Sequence, residues 1–179
     1  MIKLTDYYSE LKEQDQEFQK KQYKIYCDMD GVLVDFIKGI QDKIDPSMDG
    51  DWDKWALIKK DTWKEIKKLG ESFWSELEWT RDGKKLWNYI KKYNPIILTA
   101  KPRTVDVAIE GKKKWVKKNL GSYNTIITTG PEKQNYANKN SILIDDSERN
   151  IKQWKSKEGI GILHKNTEDT IKQLKRLGI

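Results

Sequence analysis

Cysteine and histidine are almost missing from this chain of 179 residues: Cys27 and His164 stand alone. A lone cysteine excludes an internal disulfide, and a lone histidine excludes a metal site built from several imidazoles. Cys27 sits inside an apolar strand pattern and reads as a small buried hydrophobe. His164 ends a strand pattern and reads as structural. Arginine is scarce, limited to Arg81, Arg103, Arg149 and Arg176. That scarcity argues against a protein that reads bases and phosphates through arginine forks. No apolar run approaches the roughly 18 residues needed to span a bilayer. Met1 to Lys24 are polar and charged, with no apolar signal core. Internal repeats and low-complexity segments are absent. The expectation is a soluble, cytoplasmic protein with no membrane partner.

What is present can build a core. The hydrophobic fraction is 36% and includes eight Trp and eight Tyr. The charged fraction of 35% is interspersed rather than blocked, which excludes disorder. The length suits one domain with a modest insertion. A formal net charge of +7 favours anionic partners such as phosphates, nucleotides or nucleic acid.

Leu4, Tyr7, Tyr8, Leu11 and Phe18 share one face of a predicted helix over 4–21. It forms an N-terminal arm, residues 1–22, that packs on the core or on a second subunit. Tyr23 to Cys27 reads as a strand, Asp28 to Gly31 as an acidic turn, and Val32 to Lys43 as a helix. From Asp45 to Glu78 the composition shifts. Trp52, Trp55, Ile58, Trp63, Ile66 and Leu69 suggest short amphipathic helices ending near Gly70. Residues 36–79 are expected to form a helical cap inserted into a core of residues 23–35 and 80–179. A βα rhythm follows: helix 83–92, strand 95–99, helix 104–120, strand 125–129, short helix 134–138, strand 141–144, helix 150–157, strand 159–163, and a last helix capped by Asn166. Apolar strands alternating with amphipathic helices imply an α/β fold, a parallel sheet with helices on both faces. Lys112, Lys113, Lys114, Lys117 and Lys118 spread around the helix at 104–120 and read as a solvated face.

Ligands bind beyond the carboxyl ends of strands in such sheets. Asp28 and Asp30 follow the first strand. Thr99, Lys101 and Arg103 follow the second, Lys133 the third, and Asp145 and Asp146 the fourth. Four carboxylates from two strand ends make a hard-oxygen site suited to Mg²⁺. A carboxylate beside such an ion can attack phosphorus, and a second one two residues away can move protons. A calcium loop of the EF-hand kind would need a glutamate at its twelfth position, where this chain has Gly39.

These residues resemble the motifs of the haloacid dehalogenase superfamily. Asp28-Met29-Asp30-Gly31-Val32-Leu33-Val34-Asp35 is similar to its first motif, and Ile97-Leu98-Thr99-Ala100 to its second. Lys133 resembles the third, and Leu143-Ile144-Asp145-Asp146-Ser147 the fourth. The resemblance spans about residues 23 to 164. It implies a Rossmann-like core and a magnesium-dependent phosphatase. Asp28 would be nucleophile and metal ligand. Asp30 would be the general acid/base and offer its backbone carbonyl to the metal. Asp145 or Asp146 would complete the metal site. Thr99, Ala100, Lys101 and Lys133 would hold the phosphate.

Phe36, the run Phe73 to Glu78, Asp82-Gly83 and Trp115-Val116 are similar in order to the 5′(3′)-deoxyribonucleotidases, including viral and bacterial relatives. Trp79-Thr80-Arg81 stands where that group has a proline-rich segment. The finer resemblance implies a nucleoside monophosphate substrate, with Phe36, Trp63 and Trp74 lining its pocket. Base stacking is worth about 1–3 kcal/mol per base. Two other functions remain open: a phosphatase acting on nucleic-acid ends, and a non-catalytic binding module that assembles through the arm as a homo-oligomer.

Overall fold

A computed structural model of the chain describes residues 23–47, 60–102 and 105–179. The predicted arm helix over 4–21 with its role in assembly, Trp52, Trp55, Ile58 and Arg103 lie outside the described residues. In chain order the described elements are β1 (Lys24–Cys27), α1 (Phe36–Lys43), α2 (Lys60–Ser75), α3 (Gly83–Ile90), β2 (Ile96–Ala100), α4 (Val107–Asn119), β3 (Thr125–Thr128), β4 (Ser141–Asp145), α5 (Glu148–Ser156), β5 (Ile160–Leu163) and α6 (Thr167–Arg176). No described helix is long and apolar enough to cross a membrane.

The strands form one five-stranded sheet in the order β3-β2-β1-β4-β5, and every pairing is parallel. β1 is central, with Cys27 beside Ile97 on one side and Ile144 on the other. Alternation along the strands sorts side chains onto two faces. Ile25, Cys27, Ile97, Ile142, Ile144 and Ile162 join the larger core, with Phe36, Ile40, Leu86, Trp115 and Leu174 from α1, α3, α4 and α6. Tyr26, Ile96, Leu98 and Leu143 face the other way, against Ile151 and Trp154 of α5. Helices therefore cover both faces, as the apolar strands require.

The helix expected from Val32 begins only at Phe36. The carbonyl of Met29 instead accepts the amides of Val32, Leu33 and Val34, coiling this stretch into a tight loop. The side chain of Asp35 then caps α1 by accepting from the Lys38 amide at 2.9 Å. The chain re-enters the core beside its exit: Asp35 N donates to Glu78 O and Thr80 N to Leu33 O, each at 2.9 Å.

α2 runs past the stop expected at Gly70 and breaks there instead, at φ 66° and ψ −144°. Its second half lies on α4, where a Cβ on Gly111 would meet Trp74 Cβ at 2.5 Å and Glu71 O at 2.7 Å. Only a glycine lets the two backbones approach so closely. Phe36, Ile37, Ile40, Ile66, Phe73, Trp74 and Leu77 are all buried in the larger core. The short helix expected at 134–138 is a 3-10 helix at Gly130–Tyr136. Glu132 and Thr129 fix its start by a reciprocal capping box, with Pro131 in its first turn.

Candidate active site

β1, β2 and β4 all end on one rim, because parallel strands point the same way. Asp28 leaves the end of β1 and donates its amide to Ile144 O at 2.9 Å, which ties it to β4. Asp145 ends β4 and Asp146 follows it. Carboxylate oxygens of Asp28, Asp145 and Asp146 all lie within 4.8 Å of one another. Three carboxylates this close repel one another unless cations stand between them.

One such cation belongs to the chain. Lys133 is buried, and its Nζ lies 2.8 Å from Asp28 Oδ2 and 2.7 Å from Asp145 Oδ2. Burial acts to lower its pKa, but the charges of Asp145 and Asp28 prevail and raise it. The capped 3-10 helix is the device that carries this lysine from the β3 end to the centre.

The two acids of the fourth motif differ in surroundings. Asp145 is fully buried and fully engaged. Its Oδ1 accepts from Ser147 N at 2.9 Å, and Asn150 Nδ2 reaches both oxygens at 3.1 and 3.2 Å. Asp146 is half-buried. Its pKa is raised well above the usual carboxylate range, by burial and then by the charges of Asp28 and Asp145. Among the described residues, no cation pairs directly with Asp146, and Lys133 only partly offsets its charge. A hard divalent cation fits that donor set, with oxygen ligands only and Asp146 as the acid free to bind it. Gly31 lies directly beneath: at φ 76° it takes a conformation that favours glycine, and any side chain there would run into the Asp146 carboxylate.

Asp30 follows Asp28 by two residues and is also buried. Its Oδ2 pairs with Nζ of Lys112, which also donates to Thr99 Oγ1 at 2.8 Å and sits 5.3 Å from the Trp74 ring centroid. Its other oxygen, Oδ1, is buried with no partner among the described residues. Burial raises the Asp30 pKa, and Lys112 opposes that rise. Lys112 corrects the sequence reading. It is buried rather than part of a solvated face, while Lys113, Lys114, Lys117 and Lys118 are exposed. The signal was legible: residue 112 is in helical phase with Ala108, Trp115 and Val116, the apolar stripe of α4. Asn150 was also missed, and its place in the first turn after the acid pair is the only signal the sequence offers for it.

Thr99 is fully buried at the end of β2, on the same rim. Ala100 is half-buried beside it. Lys101 turns to the surface, where its Nζ meets Asp106 Oδ1 at 2.6 Å and its amide donates to Thr128 O at 2.8 Å. Two of the amides that follow Asp28 are taken within the loop: Met29 N donates to Asp28 Oδ1 and Gly31 N to Val34 O, each at 2.8 Å. Of the three pocket aromatics, Phe36 and Trp74 lie inside the core with ring centroids 5.3 Å apart. Trp63 is half-buried, 6.1 Å from the Phe36 ring. Cys27 and His164 are both buried, and His164 Nδ1 bonds Thr170 Oγ1 at 2.8 Å.

Neither a protein-family profile nor a curated protein matches the chain. Solved structures do. A hydrolase from Streptococcus pneumoniae TIGR4 is similar over 87% of this chain and 99% of its own, at 13% identity and a TM-score of 0.52. A HAD family enzyme from Bacteroides thetaiotaomicron, a variant in complex with magnesium and inorganic phosphate, aligns over 80% of this chain and 94% of its own, at 17% identity and a TM-score of 0.44. At such identities the first likeness establishes a shared fold.

Proposed function

We propose that the chain is a magnesium-dependent phosphatase of the haloacid dehalogenase superfamily, hydrolysing a phosphomonoester through a phosphorylated Asp28. The observation that carries this reading is the carboxylate trio of Asp28, Asp145 and Asp146 within 4.8 Å, at the ends of two adjacent parallel strands. Asp28, Asp146 and the carbonyl of Asp30 would hold the ion, and Asp145 would position Lys133 beside Asp28. Mg²⁺ bound there would offset the charge of the phosphoryl oxygens.

The chain's own groups supply the remaining chemistry. A carboxylate oxygen of Asp28 attacks phosphorus as the ester P–O bond breaks. Asp30 gives its proton to the leaving oxygen, then takes one from the water that attacks the aspartyl-phosphate. That second step releases phosphate and restores both acids. The unpartnered Oδ1 of Asp30 is the oxygen free for this exchange, since Lys112 holds Oδ2. Lys133, Thr99 and Lys112 are the donors available to the transferring group.

Within that class the substrate proposed is a nucleoside monophosphate, on the order of the aromatic residues after the first motif. Trp63 is the one of the three aromatics with a partly open face. The test is phosphate release, with Mg²⁺ and with EDTA, across 5′- and 3′-nucleoside monophosphates, sugar phosphates and phosphorylated oligonucleotides. Magnesium-dependent turnover concentrated on deoxynucleotides is expected. Equal turnover of sugar phosphates would remove the nucleotide reading, and no turnover of any ester would remove the phosphatase reading.

A further inference from the structure

A cleft of about 340 Å³ opens at the outer edge of the sheet, lined by Leu163, Lys165, Asp169, Lys172, Gln173 and Arg176. Three of these six residues are cations. The one acid, Asp169, is turned to the helix cap, where its Oδ2 accepts from Asn166 Nδ2 at 2.9 Å. Among the described residues, no carboxylate pairs with Lys165, Lys172 or Arg176. Lys113 and Lys114 on α4, by contrast, each hold a glutamate, at 2.9 and 2.6 Å. Lys165, Lys172 and Arg176 form one exposed stripe beside α6, whose opposite face buries Thr167, Thr170 and Leu174.

The stripe begins on the catalytic rim. Leu163 is in register with Asp145, and His164 N donates to Asp145 O at 2.9 Å. β5 stands two strand spacings from β1, about 10 Å away. Lys172 and Arg176 are one turn apart, about 6 Å along the helix axis. A lysine is a point charge suited to phosphate oxygens without base readout. Leu163 is the sole apolar side chain in the lining, which offers neither the anchors of a protein interface nor a surface for a bilayer.

We propose that this cleft holds the backbone phosphates of a nucleic-acid strand, a binding site separate from the one that takes the monophosphate at Asp28. The cleft does not rest on the phosphatase reading. The test is fluorescence anisotropy of a labelled short single-stranded DNA, titrated with the full chain carrying Asp28→Asn to prevent turnover, at several salt concentrations. Adding Lys165→Glu, Lys172→Glu and Arg176→Glu is expected to weaken binding at least tenfold and to reduce the log–log salt slope by about two. A charge-matched control, Lys117→Glu with Lys118→Glu and Lys157→Glu, is expected to keep most of the affinity. Equal losses in both triple variants would reduce the effect to net charge and overturn the proposal, as would no loss in the cleft variant. Cleft-dependent binding by a chain with Asp28 intact that releases no phosphate from any ester would uphold the cleft and sink the phosphatase reading.

Discussion

Lys112 reaches from α4 to the carboxylate of Asp30, across 82 residues of sequence, and both groups are buried. Removing one partner of a buried ion pair leaves the other uncompensated, at about 3–5 kcal/mol. Lys112→Met should therefore lower stability by about that amount and suppress turnover. Combined with Asp30→Asn it should recover much of the stability and none of the activity. Urea unfolding of the two single variants and the double variant checks this; additive losses would show that the pair is not coupled.

Asp145 and Asp146 should separate by their responses to magnesium. Asp146→Asn removes a carboxylate that no described cation pairs with directly and that Asp28 and Asp145 repel, so stability without magnesium should hold or rise. The thermal shift on adding Mg²⁺ should vanish. A ligand at a hundred times its Kd adds about 2.7 kcal/mol, or roughly 5–10 °C in Tm for a domain of this size. Asp145→Asn instead leaves Lys133 with one carboxylate and should lower Tm in EDTA. Identical thermal shifts in the two variants would contradict these roles.

Two glycines should fail for different reasons. A Cβ on Gly31 meets the Asp146 carboxylate, so Gly31→Ala should abolish the magnesium response as well as destabilise the fold. A Cβ on Gly70 meets nothing within 4 Å, so Gly70→Ala should cost only its backbone strain, about 1–3 kcal/mol. Its magnesium shift should survive, and differential scanning fluorimetry with and without Mg²⁺ distinguishes the two.

His164 gives a pH dependence of known sign. Burial lowers its pKa, with Asp82 pulling weakly the other way. The unfolded chain then binds a proton, near pH 6.5, that the folded chain refuses. Its neutral form therefore supports stability fully above about pH 6.5, and that support is lost as pH falls through the lower folded value. His164→Gln should flatten the fall in Tm over that range; an unchanged profile would place the acid sensitivity elsewhere.

The sheet, its order of helices and the rim were legible because apolar strand runs and strand-end polar residues are local patterns. The start of α1 was not: Val32 and Leu33 have helical periodicity, but their amides fold back on Met29. The helix at 130–136 was displaced in expectation because its capping box begins before any apolar run. Lys112 was misread through its chemical type, since lysine is rarely buried unless paired, and its partner lies in a distant motif. Asp145 and Asp146 look equivalent in sequence, and only the surrounding donors tell them apart.

The segment between the first two strands cannot be treated as a detachable cover. Phe36, Ile37, Ile40, Ile66, Phe73, Trp74 and Leu77 lie in the same core as β1 and β4. At about 1.5–3 kcal/mol each, their removal would exceed the whole stability of an ordinary domain. Grafting a different segment at this point to change specificity would therefore require redesigning the scaffold's interior along with it.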